Sequence, residues 1–202
     1  QALPVVIISV ETTAVSTGAL FSVTASGLST TTANNLFTFT PVSGGDSVSL
    51  PPTSNSVVDA SRGVRRISVR VPTSLPVDQT SVTITNTENG QFVTTLIYVV
   101  SISLDITSAR VGDVLNVRIT KTGDPASAPF VQGQTRVTLG AGITILSVTV
   151  ESPTSLLASV TVSSVATPAF RTASVTVPRG SFLLMNAFNV LPLLPTCSSA
   201  GP

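Results

Sequence analysis

Histidine and tryptophan are absent from all 202 residues, and cysteine, methionine and tyrosine occur once each. Without histidine there is no Ser-His-Asp or Cys-His nucleophile and no imidazole metal site. The single cysteine, Cys197, excludes an internal disulfide framework and a thiolate cluster for zinc or iron–sulfur. It stands in the tail LPTCSSAGP, where it reads either as an inert thiol or as a cross-link to another chain. Charge is scarce too: 9% of residues are charged, against about 25% in an average soluble domain. Lys121 is the only lysine, and a formal net charge of +1 gives no long-range field to gather polyanions. No phosphate-binding glycine loop occurs. The nine carboxylates are scattered singly, which leaves no acid–base pair to read. Asp46, Glu88 and Asp124 fall in turns where calcium ligands can arise, but the DxDxDG spacing is missing and solvated turn residues are expected. No catalytic residue, metal site or cofactor site is predicted, and the chain reads as a non-enzyme.

Ser, Thr and Val dominate, interrupted by 14 Pro and 13 Gly. β-Branched side chains lose rotamer freedom on a helix and fit a pleated surface, so strands and turns are expected. The mean hydropathy is positive, unusual for so polar a vocabulary. No run reaches the ~20 apolar residues of a spanning helix. The uncharged stretch SFLLMNAFNVLPLLPTCSS is broken by Asn186, Asn189, Pro192 and Pro195. Two packed cores of an all-β protein would account for the excess, as would additional apolar surface that is covered only when copies assemble. The sequence opens at Gln1 without a charged n-region or apolar h-region, from which a processed or trimmed chain is expected. Together with the scarcity of lysine, this points to a secreted protein.

Two stretches repeat. ISVETTAVSTGALFSVTASG from Ile8 matches ISLDITSARVGDVLNVRITKTG from Ile102, with an acid after each apolar triplet (Glu11, Asp105) and a glycine ten residues after each first Ile (Gly18, Gly112). The later segments follow: RRISVRVP from Arg65 over LLASVTVS from Leu156, and TSVTITNTENG from Thr80 over ASVTVPRG from Ala173. A period of this length is the size of an immunoglobulin-like sandwich. Period-two alternation in LFSVTASG, NNLFTFTP, RISVRVP, VLNVRIT and ITILSVTV marks half-buried strands. Turn signals separate them: SGGDS, TENG, KTGD and GAG. The fold class is therefore all-β: two tandem immunoglobulin-like β-sandwich domains, residues 1–99 and 100–194, with a Pro/Ser-rich tail over 195–202.

RGVRRISVRVP gathers Arg62, Arg65, Arg66 and Arg70, four of the ten basic residues. Alternation puts Arg66, Ser68 and Arg70 on one face, opposite Ile67, Val69 and Val71. The second copy has Leu157 and Thr161 where the first has Arg66 and Arg70, and no aromatic partners stand ready to stack bases. A solvated face or a charge-guarded edge is expected, with no nucleic-acid partner. Sugar binding is not advertised either, since the lone Tyr98 lies in a strand and Phe37, Phe39 and Phe188 occupy inward positions.

From Pro129 the residues Phe130, Gly133 and Thr135, the turn Gly140–Gly142, the strand Leu156, Ala158, Val160, Val162 and then Arg171, Val175 and Val177 carry a pattern that resembles bacterial cell-surface Ig-like repeats of the IPT/TIG kind. Pro168-Ala169-Phe170 departs from it, standing where those repeats usually have a glycine. The resemblance implies spacing, adhesion or assembly outside the cell. The expectation is a structural protein of the cell surface: a self-assembling subunit of an appendage, filament or layer, partnered by copies of itself, other surface proteins or glycans. The segment Pro4, Val5, Val6, Ile7, Ile8 is the candidate assembly segment, either the first strand of its own domain or a strand donated to a neighbour's sheet edge. The alternatives are a ligand- or glycan-binding adhesion module of a larger secreted protein, and a viral coat protein.

Overall fold

The computed structural model describes residues 3 to 123 and 126 to 194; the tail with Cys197 and the turn residue Asp124 lie outside them. The described residues form sixteen strands: β1 (Val6–Val10), β2 (Ala14–Ser16), β3 (Leu20–Ser26), β4 (Asn35–Pro41), β5 (Val48–Leu50), β6 (Ser54–Asp59), β7 (Val64–Arg70), β8 (Gln79–Asn86), β9 (Gln91–Leu104), β10 (Ser108–Arg110), β11 (Val114–Thr122), β12 (Arg136–Thr138), β13 (Ile143–Ser152), β14 (Ser155–Val162), β15 (Ala169–Val177) and β16 (Gly180–Leu191). Among the described residues the one helical element is a single short 3₁₀ turn.

The first half packs the sheet β1-β3-β7-β6 against β5-β4-β8-β9. In immunoglobulin lettering these are A-B-E-D and C′-C-F-G, with the short β2 as an A′ strand beside G. The second half repeats the order: the end of β9 with β11-β14-β13 makes A-B-E-D, and β12-β15-β16 makes C-F-G with β10 in the A′ place. Both halves are thus immunoglobulin-like sandwiches by their own strand order. Period-two alternation produces this directly: Val82 and Ile84 of β8 face the first core, while Leu156, Ala158, Val160 and Val162 of β14 face the second. Phe21, Phe37 and Phe39 fill the first core, Phe21 meeting the other two rings edge-on, an arrangement that suits the ring quadrupole.

The repetition extends to single hydrogen bonds. Gly18 N donates to Val71 O (2.8 Å) as Gly112 N does to Val162 O (2.9 Å), and Tyr98 N donates to Thr13 O (2.8 Å) as Asn189 N does to Thr107 O (2.8 Å). Both glycines have positive φ, +77° and +88°, a region that penalises any Cβ.

No linker separates the halves. β9 is the last strand of the first sandwich, paired with β8 over Gln91–Tyr98, and continues without interruption as the first strand of the second, paired with β11 over Ser101–Leu104. β2 lies between β9 and the start of β16, parallel to both, with Ala14 opposite Gly180 and Val15 opposite Ser181. Ala14 belongs to the second core and Val15 to the first, so this three-residue strand has one side chain in each.

Candidate functional site

Of the segment Pro4–Ile8, Val6 to Ile8 lie in the edge strand β1, and Pro4 and Val5 precede it. Val6 and Ile7 pair with Ser26 and Ala25, a bulge follows between Ile7 and Ser9, and Val5 and Ile7 reach the first core. Gly27 lets it lie this close, since a Cβ there would meet Pro4 O at 2.1 Å and the residue's φ is +74°. Val6 and Ile8 remain about half exposed, and Leu3 more so.

The arginines of β7 do not converge. Arg66 pairs with Glu11, Arg62 with Asp59 at 3.8 Å, Arg70 donates to Gly18 O at 3.0 Å, and Arg65 Nε donates to Asn55 Oδ1 at 2.6 Å. Arg66 and Arg70 are exposed, while Ser68 between them on the same face is covered. Its hydroxyl shares a hydrogen bond with Ser22 Oγ at 2.8 Å, which removes the cost of covering a polar group.

Chemistry-bearing side chains stay apart elsewhere. Among the described residues no three carboxylates or thiols come together. Glu88 accepts from Asn34 Nδ2 at 2.6 Å, a bond that lowers its pKa below the ordinary value and ties down its turn. Glu151 is held by a two-nitrogen grip from Arg118, both contacts 2.9 Å, and by Ser155 Oγ. These bonds to the charged form keep its carboxyl at about 2 and raise the Arg118 guanidinium. Tyr98 is half-buried, its hydroxyl accepting from Gln79 Nε2 at 3.2 Å. Phe37, Phe39 and Phe188 are fully buried. Arg171 is a staple, its Nε donating to Ala141 O at 2.9 Å and its Nη2 to Thr167 O. Thr135 Oγ1 accepts from Val131 N at 2.8 Å and closes the turn before β12. A cleft of about 330 Å³ opens between the halves, lined by Thr13, Ala128, Pro129, Pro178 and Arg179, with no acid opposite the one arginine.

Lys121 is a residue whose place the charge pattern did not reveal. It is 3% exposed, donates to Ser127 O (3.1 Å) and Ala128 O (3.0 Å), and sits 5.9 and 5.6 Å from the ring centroids of Phe130 and Phe182. The signal was its register: Val117, Ile119 and Lys121 alternate inward along β11.

The least expected feature is an open backbone edge. Residues 91–97 of β9 pair with β8 on one side, and among the described residues no strand pairs with their other side, because β2 begins only at Tyr98. This stretch, QFVTTLI, has no charge, proline or register shift, and Phe92 and Leu96 on it are exposed by 66% and 51%. Other edges are blunted in the ways that discourage stray pairing. β1 and β6 carry bulges, β5 and β12 span three residues, and on β13 the Gln132 carboxamide imitates a missing strand. Its Nε2 donates to Val148 O at 3.0 Å and its Oε1 accepts from Val150 N at 2.8 Å.

No family model matches the chain, and no curated protein does. Among solved structures, a chimeric titin Z1Z2-Z1Z2 tandem functionalised with an exogenous GRGDS peptide from fibronectin matches over 95% of this chain and 100% of its own, at 11% identity and a TM-score of 0.28. So low a score carries no argument, and the immunoglobulin-like assignment rests on strand order.

Proposed function

We propose that this chain is a non-catalytic structural protein of the cell exterior, a subunit that assembles with copies of itself into a filament, appendage or layer. In this reading residues 1–99 and 100–194 are its two tandem domains and 195–202 its tail. The observation that carries the reading is where the exposed apolar side chains lie. Leu3, Val57, Val58 and Phe92 stand at the end of the first half remote from β2, and Val114, Val165, Phe170, Leu193 and Leu194 at the opposite end of the second half. Val165 is 88% exposed. Leu20, Val42, Val77, Leu146 and Met185 expose apolar surface between these ends as well, but apolar groups present at both outer ends allow end-to-end association, and a chain with so few charges brings little repulsion to it. Secretion is supported by the near absence of lysine and the wealth of Ser and Thr.

Negative-stain electron microscopy of the protein as isolated, beside light scattering of the same sample, tests this. Rods, tubes or sheets are expected. Dispersed monomers would overturn the reading in favour of a binding module, and closed shells in favour of a coat protein.

A further inference from the structure

The two halves share every detail of one end except its cover. At the inner end of the first half, β2 is paired on one side with β9 and on the other with the start of β16; Thr13 N donates to Arg179 O (2.9 Å) and Leu183 N to Ser16 Oγ (2.6 Å). At the outer end of the second half, β10 holds the position of β2. It is parallel to β16 as β2 is parallel to β9, with Ser108 opposite Asn189 and Ala109 opposite Val190. Among the described residues β10 has no strand on its other side.

The complementary half of that contact also exists. Gly180, which meets Ala14, opens β16 straight after the β15–β16 hairpin, where it pairs with Val177. Gln91 opens β9 straight after the β8–β9 hairpin, where it pairs with Asn86. The outer edge that β16 offers to β2 is therefore the same edge that β9 leaves bare at Gln91 and Phe92.

We infer that β10 of one copy adds in parallel to the bare start of β9 in a second copy, Ser108 beside Gln91 and Ala109 beside Phe92, repeating between molecules the β2–β16 contact that joins the two halves within one. This rests on the self-assembly reading and gives it a surface. The interface is heterologous, one end of the molecule on the other end of the next, so it propagates instead of closing on itself. Main-chain hydrogen bonds supply the attraction, as in other strand additions. Phe92 loses water when the edge is covered. The chain leaves β16 at Pro192, which cannot donate to a ladder, so the strand stops at the contact.

Two single-cysteine variants test the geometry, both in a Cys197→Ser background: Gln91→Cys in one and Ser108→Cys in the other. Neighbouring strands are about 4.8 Å apart, within the Cα separation a disulfide tolerates. Mixed and oxidised, they are expected to give a covalent heterodimer about tenfold in excess of the covalent homodimer that either variant gives alone. Separately, Phe92→Lys with Leu96→Lys puts charge on the edge at exposed sites, and is expected to weaken association about tenfold with an unchanged melting temperature. Assembly of the wild type with no heterodimer, or assembly undiminished by the lysines, would overturn the β10–β9 contact while leaving self-assembly standing. A wild type that stays monomeric, with no heterodimer formed, overturns both. A heterodimer from the two variants, with a wild type that forms short oligomers but no filament, supports the contact and removes the filament.

Discussion

Single residues carry this fold's few charges in two opposite ways. Lys121 has its ammonium inside, satisfied by carbonyls and facing two aromatic rings, whereas Glu151 and Arg118 form their pair at the surface. Removing the lysine strands those carbonyls and leaves a gap beside Phe130 and Phe182. Lys121→Ala should therefore cost about 3 kcal/mol, seen as a fall in the denaturation midpoint with little change in slope. The surface pair is screened, and its signature is a pH dependence. Because the Glu151 pKa is lowered to about 2 in the folded chain, its contribution is fully present above the unfolded value of about 4.3 and fades as pH falls toward 2. Glu151→Gln should lower the melting temperature modestly at neutral pH, with the difference from the wild type shrinking as pH falls between those limits. At this scale the sequence was half legible. Alternation named the inward Phe and Val positions, but Lys121 was read as the start of the KTGD turn, whereas β11 runs on to Thr122 and carries Lys121 inward, and low charge gave no reason to suspect a buried cation. Ser68 escaped because period two assigns a face and says nothing of a neighbour's hydroxyl.

Among elements, the strands that face a core on one side and water on the other were readable, as in β3, β8 and β14, because burial enforces their alternation. β6 was not. It is an edge strand whose residues are mostly exposed, so nothing selects a pattern in SNSVVD. β2 was missed for the opposite reason: its three residues are all buried between two strands, too short a run for any period. Edges also govern how the strands meet solvent. Gln132 occupies backbone groups of β13 that water or another chain would otherwise take. Gln132→Ala should raise the hydrogen-exchange rate of the Val150 amide by about tenfold or more, with the neighbouring β14 amides unaffected. An unchanged rate would mean that the carboxamide contact is not kept in solution.

For the whole molecule the paired segments at Ile8 and Ile102 suggested a repeat, and they begin in β1 and in the end of β9. What no periodicity could show is that β2 of the first copy would sit against β16 of the second, since that contact spans 167 residues and rests on a single side-chain hydroxyl and a few amides. With β9 common to both sandwiches and β2 holding a side chain in each core, the halves should unfold as one unit. Calorimetry is expected to give a single transition whose calorimetric and van't Hoff enthalpies agree. Two resolved transitions would mean that the shared strands do not couple them.

The unbroken course of β9 has a mechanical meaning. When a chain with a flexible linker is pulled from its ends, the linker stretches first and the folded parts feel the load late. Here there is no slack to take up. Tension passes from one sandwich into the next along a single extended backbone, and the rows of hydrogen bonds flanking it on β8 and β11 are loaded together in shear, the direction in which many bonds must give way at once. Resistance to being drawn out is therefore expected to belong to the join between the halves as much as to either half.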